Sequence, residues 1–278
     1  MSFRLSGVMG WPIGHSRSPL LHGHWLARHG IAGAYVPLAV RPDHLEQALR
    51  ALPALGFAGC NLTVPHKEAA FRLVDHVDRA ADRLRAVNTI VVRPDGTLEG
   101  RNTDGEGFLK HLQATAPTWV PSDRPVLVLG AGGAARAVVG TLADIGVPEI
   151  RVTNRTDARA ENLASECGQP LMAWPWAHRA EALAGCSLVV NTTQLGMDGC
   201  PPLDLPLDLL PADGVVYDIV YTPLETALLA DARRRGHVVV DGLGMLLHQA
   251  RAGFTAWFGV EPEVDEALRR AVLERVSP

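Results

Sequence analysis

PVLVLGAGGAARAVVGTLADIGVPEIRVTNRT, residues 125–156, decides the fold of this chain. Val126 to Leu129 is a short, continuous apolar run, the pattern of a strand covered on both faces of a parallel sheet. Gly130, Ala131, Gly132, Gly133 and Ala134 follow at once. Ala135, Val138, Val139, Leu142 and Ile145 then recur at helical spacing, and Gly146 stands where a helix C-cap is wanted. A second strand, Glu149 to Thr153, completes a βαβ unit. Glycine belongs at this turn because a Cβ would keep the backbone N–H groups from closing on a pyrophosphate at the helix N-terminus. Glycines alone are a weak signal, but between a buried strand and an amphipathic helix they mark a dinucleotide site.

The end of the second strand indicates which dinucleotide. An NAD site usually places Asp or Glu there, on the ribose 2′-hydroxyl. Here Asn154, Arg155 and Thr156 take the position, with Arg159 one turn beyond Arg155. A guanidinium grips a phosphate, whereas a carboxylate repels it, so the stretch predicts NADP. Asp157, the acid in the same loop, is expected in the first helical turn, pointing away.

Outward to the N-terminus, Leu5–Met9, Tyr35–Val40 and Ala58–Leu62 read as strands alternating with helices, one running to Gly30 and one from Asp43 to Leu55. This βαβαβ pattern makes a separate α/β domain without a glycine fingerprint. Pro19 suits helix position N1 and Ser18 the N-cap, while Ser16 is not needed as a cap. Two hydroxyls at a helix start can also hold a carboxylate. Asn61, Thr63 and Lys67 fall where the third strand gives way to a helix, the end of an open α/β sheet at which ligands collect. Asn61 and Thr63 also fit as turn and cap residues, and His66 is expected on the helix surface. Asp75 to Arg85 reads as a solvated helical face, and 86–92 with 97–100 as a hairpin around Arg93-Pro94-Asp95-Gly96. Asn88 lies in an apolar run, where a buried amide needs partners. Asp104 precedes a helix and suits either its N-cap or chemistry.

Toward the C-terminus the alternation continues with strands Ser187–Asn191, Val215–Ile219 and His237–Val240. Two helices close the chain, about Met245–Phe258, which carries Gln249, and Pro262–Val276. No linker separates the domains, so the chain is expected to cross abruptly near Asp104 and near Asp241. The expected division is 1–104 plus 242–278 against 105–241.

Composition narrows the function. A net charge of −4 with dispersed signs and no basic stripe argues against nucleic acid. No apolar run approaches membrane-spanning length, and MSFRLSGVMG lacks a signal peptide's charged start and apolar core. Cys60, Cys167, Cys186 and Cys200 show no metal spacing and read as reduced residues. A metal-free, cytoplasmic protein acting on a small molecule is expected, as monomer or homodimer. Of 26 basic residues only Lys67 and Lys110 are lysine. Arginine cannot give up its proton at ordinary pH and lysine can, so Lys67 at a strand-to-helix turn is a candidate proton donor. A surface lysine or a purely electrostatic anchor is the alternative.

HSRSP, NLTVPHKE, AVNT, NTDG, GAGGAAR, NRT, YDIVYTP and DGLGMLLHQA, in this order and spacing, resemble the shikimate dehydrogenases along nearly the whole chain. The resemblance implies NADP-dependent reduction of 3-dehydroshikimate to shikimate, in the pathway to aromatic amino acids. It implies two α/β domains, a substrate domain and a Rossmann-type nucleotide domain, with a cleft between them. By resemblance, Ser16 and Ser18 would hold the substrate carboxylate. Thr63, Asn88, Asp104 and Gln249 would hold ring hydroxyls, and Tyr221 would face the substrate. Lys67 and Asp104 match the catalytic pair. Gly130 to Ala134 match the pyrophosphate turn, Asn154, Arg155, Thr156 and Arg159 the ribose-phosphate site, and Ile219 and Gly242 backbone positions near the nicotinamide. The chain departs from the family at Arg17, where lysine is common, at Arg79, acidic in some members, and at Arg85, often glycine. Two alternatives stand beside this reading: an NAD-preferring quinate/shikimate dehydrogenase, and a catalytically silent Rossmann protein that senses NADP(H). A sensor would need neither Lys67 nor Asp104.

Overall fold

The computed structural model describes residues 3–14 and 16–274; His15 of the HSRSP stretch and the expected helix end at Val276 lie outside the described residues. Contacts divide the chain into two compact units, Met1–Thr103 with Leu247–Pro278, and Asp104–Leu246.

The first unit begins β1 (Arg4–Gly10), α1 (Ser18–Arg28), β2 (Gly33–Ala39), α2 (Leu45–Ala51), β3 (Phe57–Leu62) and α3 (Lys67–Phe71). It continues through β4 (His76–Val77), α4 (Arg79–Leu84), β5 (Thr89–Val92) and β6 (Leu98–Arg101). The sheet order is β2-β1-β3-β5-β6-β4. β1 pairs in parallel with β2 and β3, as the βαβαβ pattern predicts, and β5 and β6 form the predicted antiparallel hairpin. Met9, Leu45, Leu49, Leu62, Val87 and Ile90 belong to its core.

Two local readings change. The helix α1 starts one residue earlier than expected, with Arg17 at the N-cap and no side-chain cap bond. Ser18 is thus inside the first turn, and the Ser16 hydroxyl accepts from the Ser18 amide at 3.4 Å. The expected helical face Asp75–Arg85 is split. Asp75 accepts from the Leu98 amide at 2.8 Å, His76–Val77 pairs with β6, and the helix begins only after Asp78, whose carboxylate caps Ala81 N at 2.7 Å. Side chains that bond to backbone in this way compete with a helical ladder.

The second unit holds α5 (Asp104–Thr115), β7 (Val126–Leu129), α6 (Gly133–Asp144), β8 (Ile150–Thr153) and α7 (Asp157–Cys167). Then come β9 (Leu171–Trp174), β10 (Leu188–Asn191), β11 (Val215–Asp218), α8 (Ala227–Arg234) and β12 (Val238–Val240). Its sheet is all parallel in the order β12-β11-β10-β7-β8-β9, the doubly wound dinucleotide-binding order. Val126, Val128, Leu188 and Val190 enter one core, and Leu127, Leu129 and Val189 the other, so both faces are covered. β9 carries no sequence signal: it is an edge strand of four residues with Met172 and Ala173 exposed and therefore no clear apolar pattern.

The chain ends in α9 (Gly242–Phe258) and α10 (Glu266–Leu273). α9 begins at Gly242 rather than near Met245, because Asp241 accepts from the Leu243 amide at 3.0 Å and opens the helix early. The contacts divide the chain between Thr103 and Asp104, and between Leu246 and Leu247, inside α9. The expected crossings lay just after Asp104 and at Asp241. Met245, in the first turns of α9, joins the second unit's core. Further along, Trp257 is 1% exposed in the first unit and its indole N–H donates to Ile90 O at 2.8 Å. Among the described residues no helix is long and apolar enough to cross a membrane.

Gly59 in β3 has φ +150, and a Cβ there would run into the Ile90 carbonyl and the Trp257 indole nitrogen. Gly59→Ala is expected to cost about 3 kcal/mol, as a clash with backbone in a conformation that L side chains avoid. Denaturant unfolding followed by tryptophan fluorescence measures it; a loss under about 1 kcal/mol would contradict this account.

Candidate functional site

In the first unit the predicted residues gather at the carboxyl ends of β1 and β3. Thr63 directly follows β3, and its amide donates to Met9 O at 3.0 Å, which ties it to the end of β1. Lys67 opens α3, half-buried, and its carbonyl accepts from Val87 N at 2.9 Å. Asn88 is 3% exposed and hydrogen-bonded through both side-chain polar atoms. Its Oδ1 accepts from Thr103 N at 3.0 Å and the Thr89 hydroxyl at 2.9 Å, and its Nδ2 donates to Thr103 Oγ1 at 3.1 Å. The partners demanded by a buried amide are therefore present.

A polar relay underlies these residues. The Tyr35 hydroxyl, on β2, donates to Asn61 Oδ1 at 2.7 Å and also hydrogen-bonds the Ser18 side chain. Asn61 Nδ2 donates to Asn88 O and Thr89 Oγ1, both at 3.1 Å. Burial holds the Tyr35 phenol well above its ordinary pKa, so it remains a donor. Asn61 is thus more than the turn residue its position allowed. Ser16 and Ser18 are half-buried, as is Gln249 on α9. His66 is not on the helix surface: it is 1% exposed, its Nε2 lies 2.8 Å from Val40 O, and burial lowers its pKa.

In the second unit β7 and β10 are adjacent, and the strand order reverses between them, the switch point at which open α/β sheets bind ligands. Gly130 follows β7 with φ +113, and a Cβ there would strike Thr192 Oγ1. Thr192 in turn donates its hydroxyl to Leu129 O at 2.6 Å. Gly132 caps α6, and Cβ atoms on Gly132 or Gly133 would point into open space. Side chains there would fill the cradle above the helix N-terminus, so the turn fits a bound pyrophosphate. Ala131 and Ala134 are half-buried beside it.

Arg155 and Arg159 are exposed at the start of α7, and neither makes an ion pair among the described residues. Asn154 Nδ2 donates to Thr156 O at 2.9 Å, which shapes their loop. Asp157 lies in the first turn of α7 and accepts from the Trp176 amide at 2.8 Å. Asn154, Arg155, Trp176, Thr193 and Leu195 line a cavity of about 260 Å³. Ile219 and Tyr221 follow β11, half-buried, and Gly242 meets the Ile219 carbonyl closely. Asp104 is 3% exposed and is the first residue of α5.

Several participants escaped the sequence reading. Asn191, Thr192 and Thr193 at the end of β10 were one group, for which the polar NTT run after an apolar strand was the available signal. Tyr35 and Trp176 had none, since each reads as an ordinary apolar position.

Likeness to known proteins extends over nearly the whole chain. Residues 8–90 match the family model "Shikimate dehydrogenase substrate binding domain", 115–195 "Shikimate / quinate 5-dehydrogenase" and 242–273 "Shikimate 5'-dehydrogenase C-terminal domain". A shikimate dehydrogenase (NADP(+)) of Paramagnetospirillum magneticum is 62% identical over 97% of this chain and 98% of its own length. One from Rhodospirillum rubrum is 58% identical over 97% of each. Among solved structures, shikimate 5-dehydrogenase of Thermus thermophilus in complex with NADP(H) and shikimate has a TM-score of 0.86 and 39% identity, covering 96% of this chain and 99% of that one. Quinate dehydrogenase of Corynebacterium glutamicum in complex with NAD has a TM-score of 0.90 and 32% identity, covering 98% and 100%. A doubly wound unit with an open glycine turn, joined to a second α/β unit, defines the class of nicotinamide-dependent dehydrogenases. Within that class, the chain belongs to the shikimate dehydrogenase family.

Asn88→Ala would leave Thr103 N and the Thr89 hydroxyl without their acceptor in a buried setting. A stability loss of about 2 kcal/mol is expected from the orphaned groups. Urea unfolding of the variant checks it, and an unchanged midpoint would mean that these bonds are readily replaced.

Proposed function

We propose that the chain catalyses the reversible NADPH-dependent reduction of 3-dehydroshikimate to shikimate, serving the synthesis of aromatic amino acids. The observation that carries the reading is the open Gly132–Gly133 cradle at the switch point, followed by two arginines without ion pairs, in a chain 62% identical to an NADP(+) shikimate dehydrogenase. Bound NADPH supplies the hydride. Gly130–Ala134 take its pyrophosphate on backbone N–H groups, and Asn154, Arg155, Thr156 and Arg159 take the 2′-phosphate. Asp157 has its carboxylate engaged by the Trp176 amide. Ile219 and Gly242 present backbone to the nicotinamide.

Residues 1–104 with 242–278 serve the substrate in this reading and 105–241 the nucleotide. Ser16 and Ser18 bind the carboxylate, and Thr63, Asn88, Asp104 and Gln249 the ring hydroxyls, with Tyr221 toward the substrate. Reduction adds hydride to the carbonyl carbon, and the oxygen must gain a proton. Lys67 gives that proton and Asp104 is the second catalytic group, accepting from a ring hydroxyl. All proposed contacts come from one chain, so monomer and homodimer are equally compatible. Four cysteines, none in a disulfide among the described residues, suit the cytoplasm as its compartment.

The test follows NADPH absorbance with 3-dehydroshikimate, then with NADH in its place, then quinate with oxidised cofactor. NADPH consumption with 3-dehydroshikimate is expected. Turnover confined to quinate and NAD would make the chain a quinate dehydrogenase, and no turnover at all would leave a sensor.

Lys67→Ala is expected to cut kcat about 10²-fold or more with a smaller change in KM, the usual contribution of a positioned acid or base. Lys67→Arg keeps the charge without a transferable proton and should not restore the rate; near-normal kcat in that variant would reduce Lys67 to an anchor.

Arg155→Ala and Arg159→Ala should each raise KM for NADPH about tenfold and leave NADH use little changed, since each removes a charged bond to the 2′-phosphate alone. Equal losses with both cofactors in steady-state assays would count against NADP selection at this loop.

A further inference from the structure

One buried, hydrogen-bonded carboxylate in the second unit has no part in the reading above. Asp218, the last residue of β11, is 0% exposed and makes no ion pair among the described residues. Its Oδ1 accepts from Asn191 Nδ2 at 2.9 Å and Val220 N at 3.0 Å, and its Oδ2 from the Thr226 hydroxyl at 2.8 Å. These donors belong to three different segments. Asn191 ends β10, where its Oδ1 accepts from Thr193 N at 3.0 Å and Thr193 Oγ1 at 2.7 Å, and its Nδ2 also donates to Leu195 O at 3.2 Å. Thr226 is the N-cap of α8 and accepts from Leu229 N at 3.3 Å. Val220 lies in the loop after β11, where the neighbouring Ile219 N donates to Asn191 O at 3.0 Å.

The bond to Val220 N has a geometric consequence. In a planar trans peptide the N–H and the C=O point in opposite directions. The amide of Val220 and the carbonyl of Ile219 are one peptide unit, so holding the N–H on Asp218 turns the carbonyl away from it. That carbonyl faces Gly242, which it approaches so closely that a Cβ on Gly242 would collide with it. Ile219 and Gly242 are the two backbone positions assigned to the nicotinamide.

We infer that Asp218 is a positioning residue for the nicotinamide half of the dinucleotide, acting through the Ile219–Val220 peptide and the loop after β10. The inference rests on the NADP reading of this unit. Burying a carboxylate without a cation is costly, and burial pushes its pKa up to about 6. A neutral side chain would serve packing alone at less cost. An anion that accepts from the end of β10, the loop after β11 and the cap of α8 instead fixes their relative geometry, including one peptide plane.

The test compares two ligands on the whole protein by titration: NADP+, and 2′,5′-ADP, which carries the adenosine and phosphate half without nicotinamide. Asp218→Asn, close to isosteric, is expected to weaken NADP+ about tenfold, leave 2′,5′-ADP within twofold, and leave KM for 3-dehydroshikimate unchanged. A merely structural role would lower thermal stability and weaken both ligands together, which would overturn the proposal, as would unchanged NADP+ binding. Should Asp218→Asn fail to fold, Thr226→Val removes one donor and is expected to weaken NADP+ about threefold relative to 2′,5′-ADP, with Thr226→Ser restoring it; equal effects on both ligands again overturn it. Wild-type protein that binds neither ligand would defeat the NADP reading itself, a result distinct from either.

Discussion

A parallel sheet covered on both faces leaves its strands only one place to become polar, their ends, and the second unit is built around that constraint. Val126–Leu129, Leu188–Asn191 and Val215–Asp218 are buried at every residue. The last side chains of β10 and β11, Asn191 and Asp218, therefore stand in a low-dielectric interior, where an unpaired polar atom costs a few kcal/mol. They find their partners in the loops just beyond: Thr193, Leu195, Val220 and Thr226. The same requirement that stabilises the sheet thus shapes the loops at the switch point. Gly130 completes the arrangement, because the close passage of β7's end by Thr192 leaves no room for a Cβ.

The first unit meets the constraint differently, since its sheet is mixed and its parallel part is shorter. Tyr35 carries a hydroxyl out of the apolar layer to Asn61, which hands hydrogen bonds on to Asn88 and Thr89. The tyrosine ring is held from behind by His22, stacked on it at 3.9 Å and 6°, within a group that includes Trp25, Phe254 and Trp257. Burial lowers His22 to about pKa 3, so the ring is neutral near pH 7. Its contribution to stability is complete above the ordinary imidazole range and is lost as the pH falls from about 6.5 toward 3. Phe254 and Trp257 come from α9, far along the chain, so the unit that opens the sequence is finished only by its end.

This long-range completion explains what the sequence could and could not disclose. The glycine turn, its flanking strand and helix, the parallel alternation and the hairpin are local patterns and are found where expected, although the hairpin's first strand begins at Thr89 rather than 86 and α2 ends at Ala51 rather than Leu55. The placement of Thr63, Lys67 and Asn154 just beyond strand ends was legible for the same reason. Features set by competition were not. Asp75 and Asp78 give their carboxylates to backbone amides and break a stretch whose composition reads as helix. Asp241 starts α9 early, and β9 is held by its pairing with β8 rather than by its own pattern. Asn191 and Asp218 lie in strands whose apolar run conceals them, because a buried hydrogen-bond network depends on which loops meet, and periodicity does not record that.

The uneven use of basic residues follows from the geometry of what they bind. Arg124 donates to Gly185 O at 3.1 Å and Cys186 O at 2.8 Å, and pairs with Asp213 at 2.6 Å. Arg151 reaches Ala182 O and Ala184 O, each at 2.8 Å, and Glu149 at 2.7 Å. Together these two side chains fasten the 182–186 segment with a planar fork of donors that an ammonium cannot reproduce. Lys110 fastens nothing of that kind. It forms an i,i+4 pair with Glu106 at 2.7 Å on the exposed side of α5, where either base would serve for a few tenths of a kcal/mol. Lys67 differs from both. It opens a helix of five residues at the end of β3, its backbone carbonyl tied to Val87, in a chain that uses arginine for 24 of 26 basic positions. The role proposed for it, proton transfer, is one that arginine's permanently charged fork does not offer.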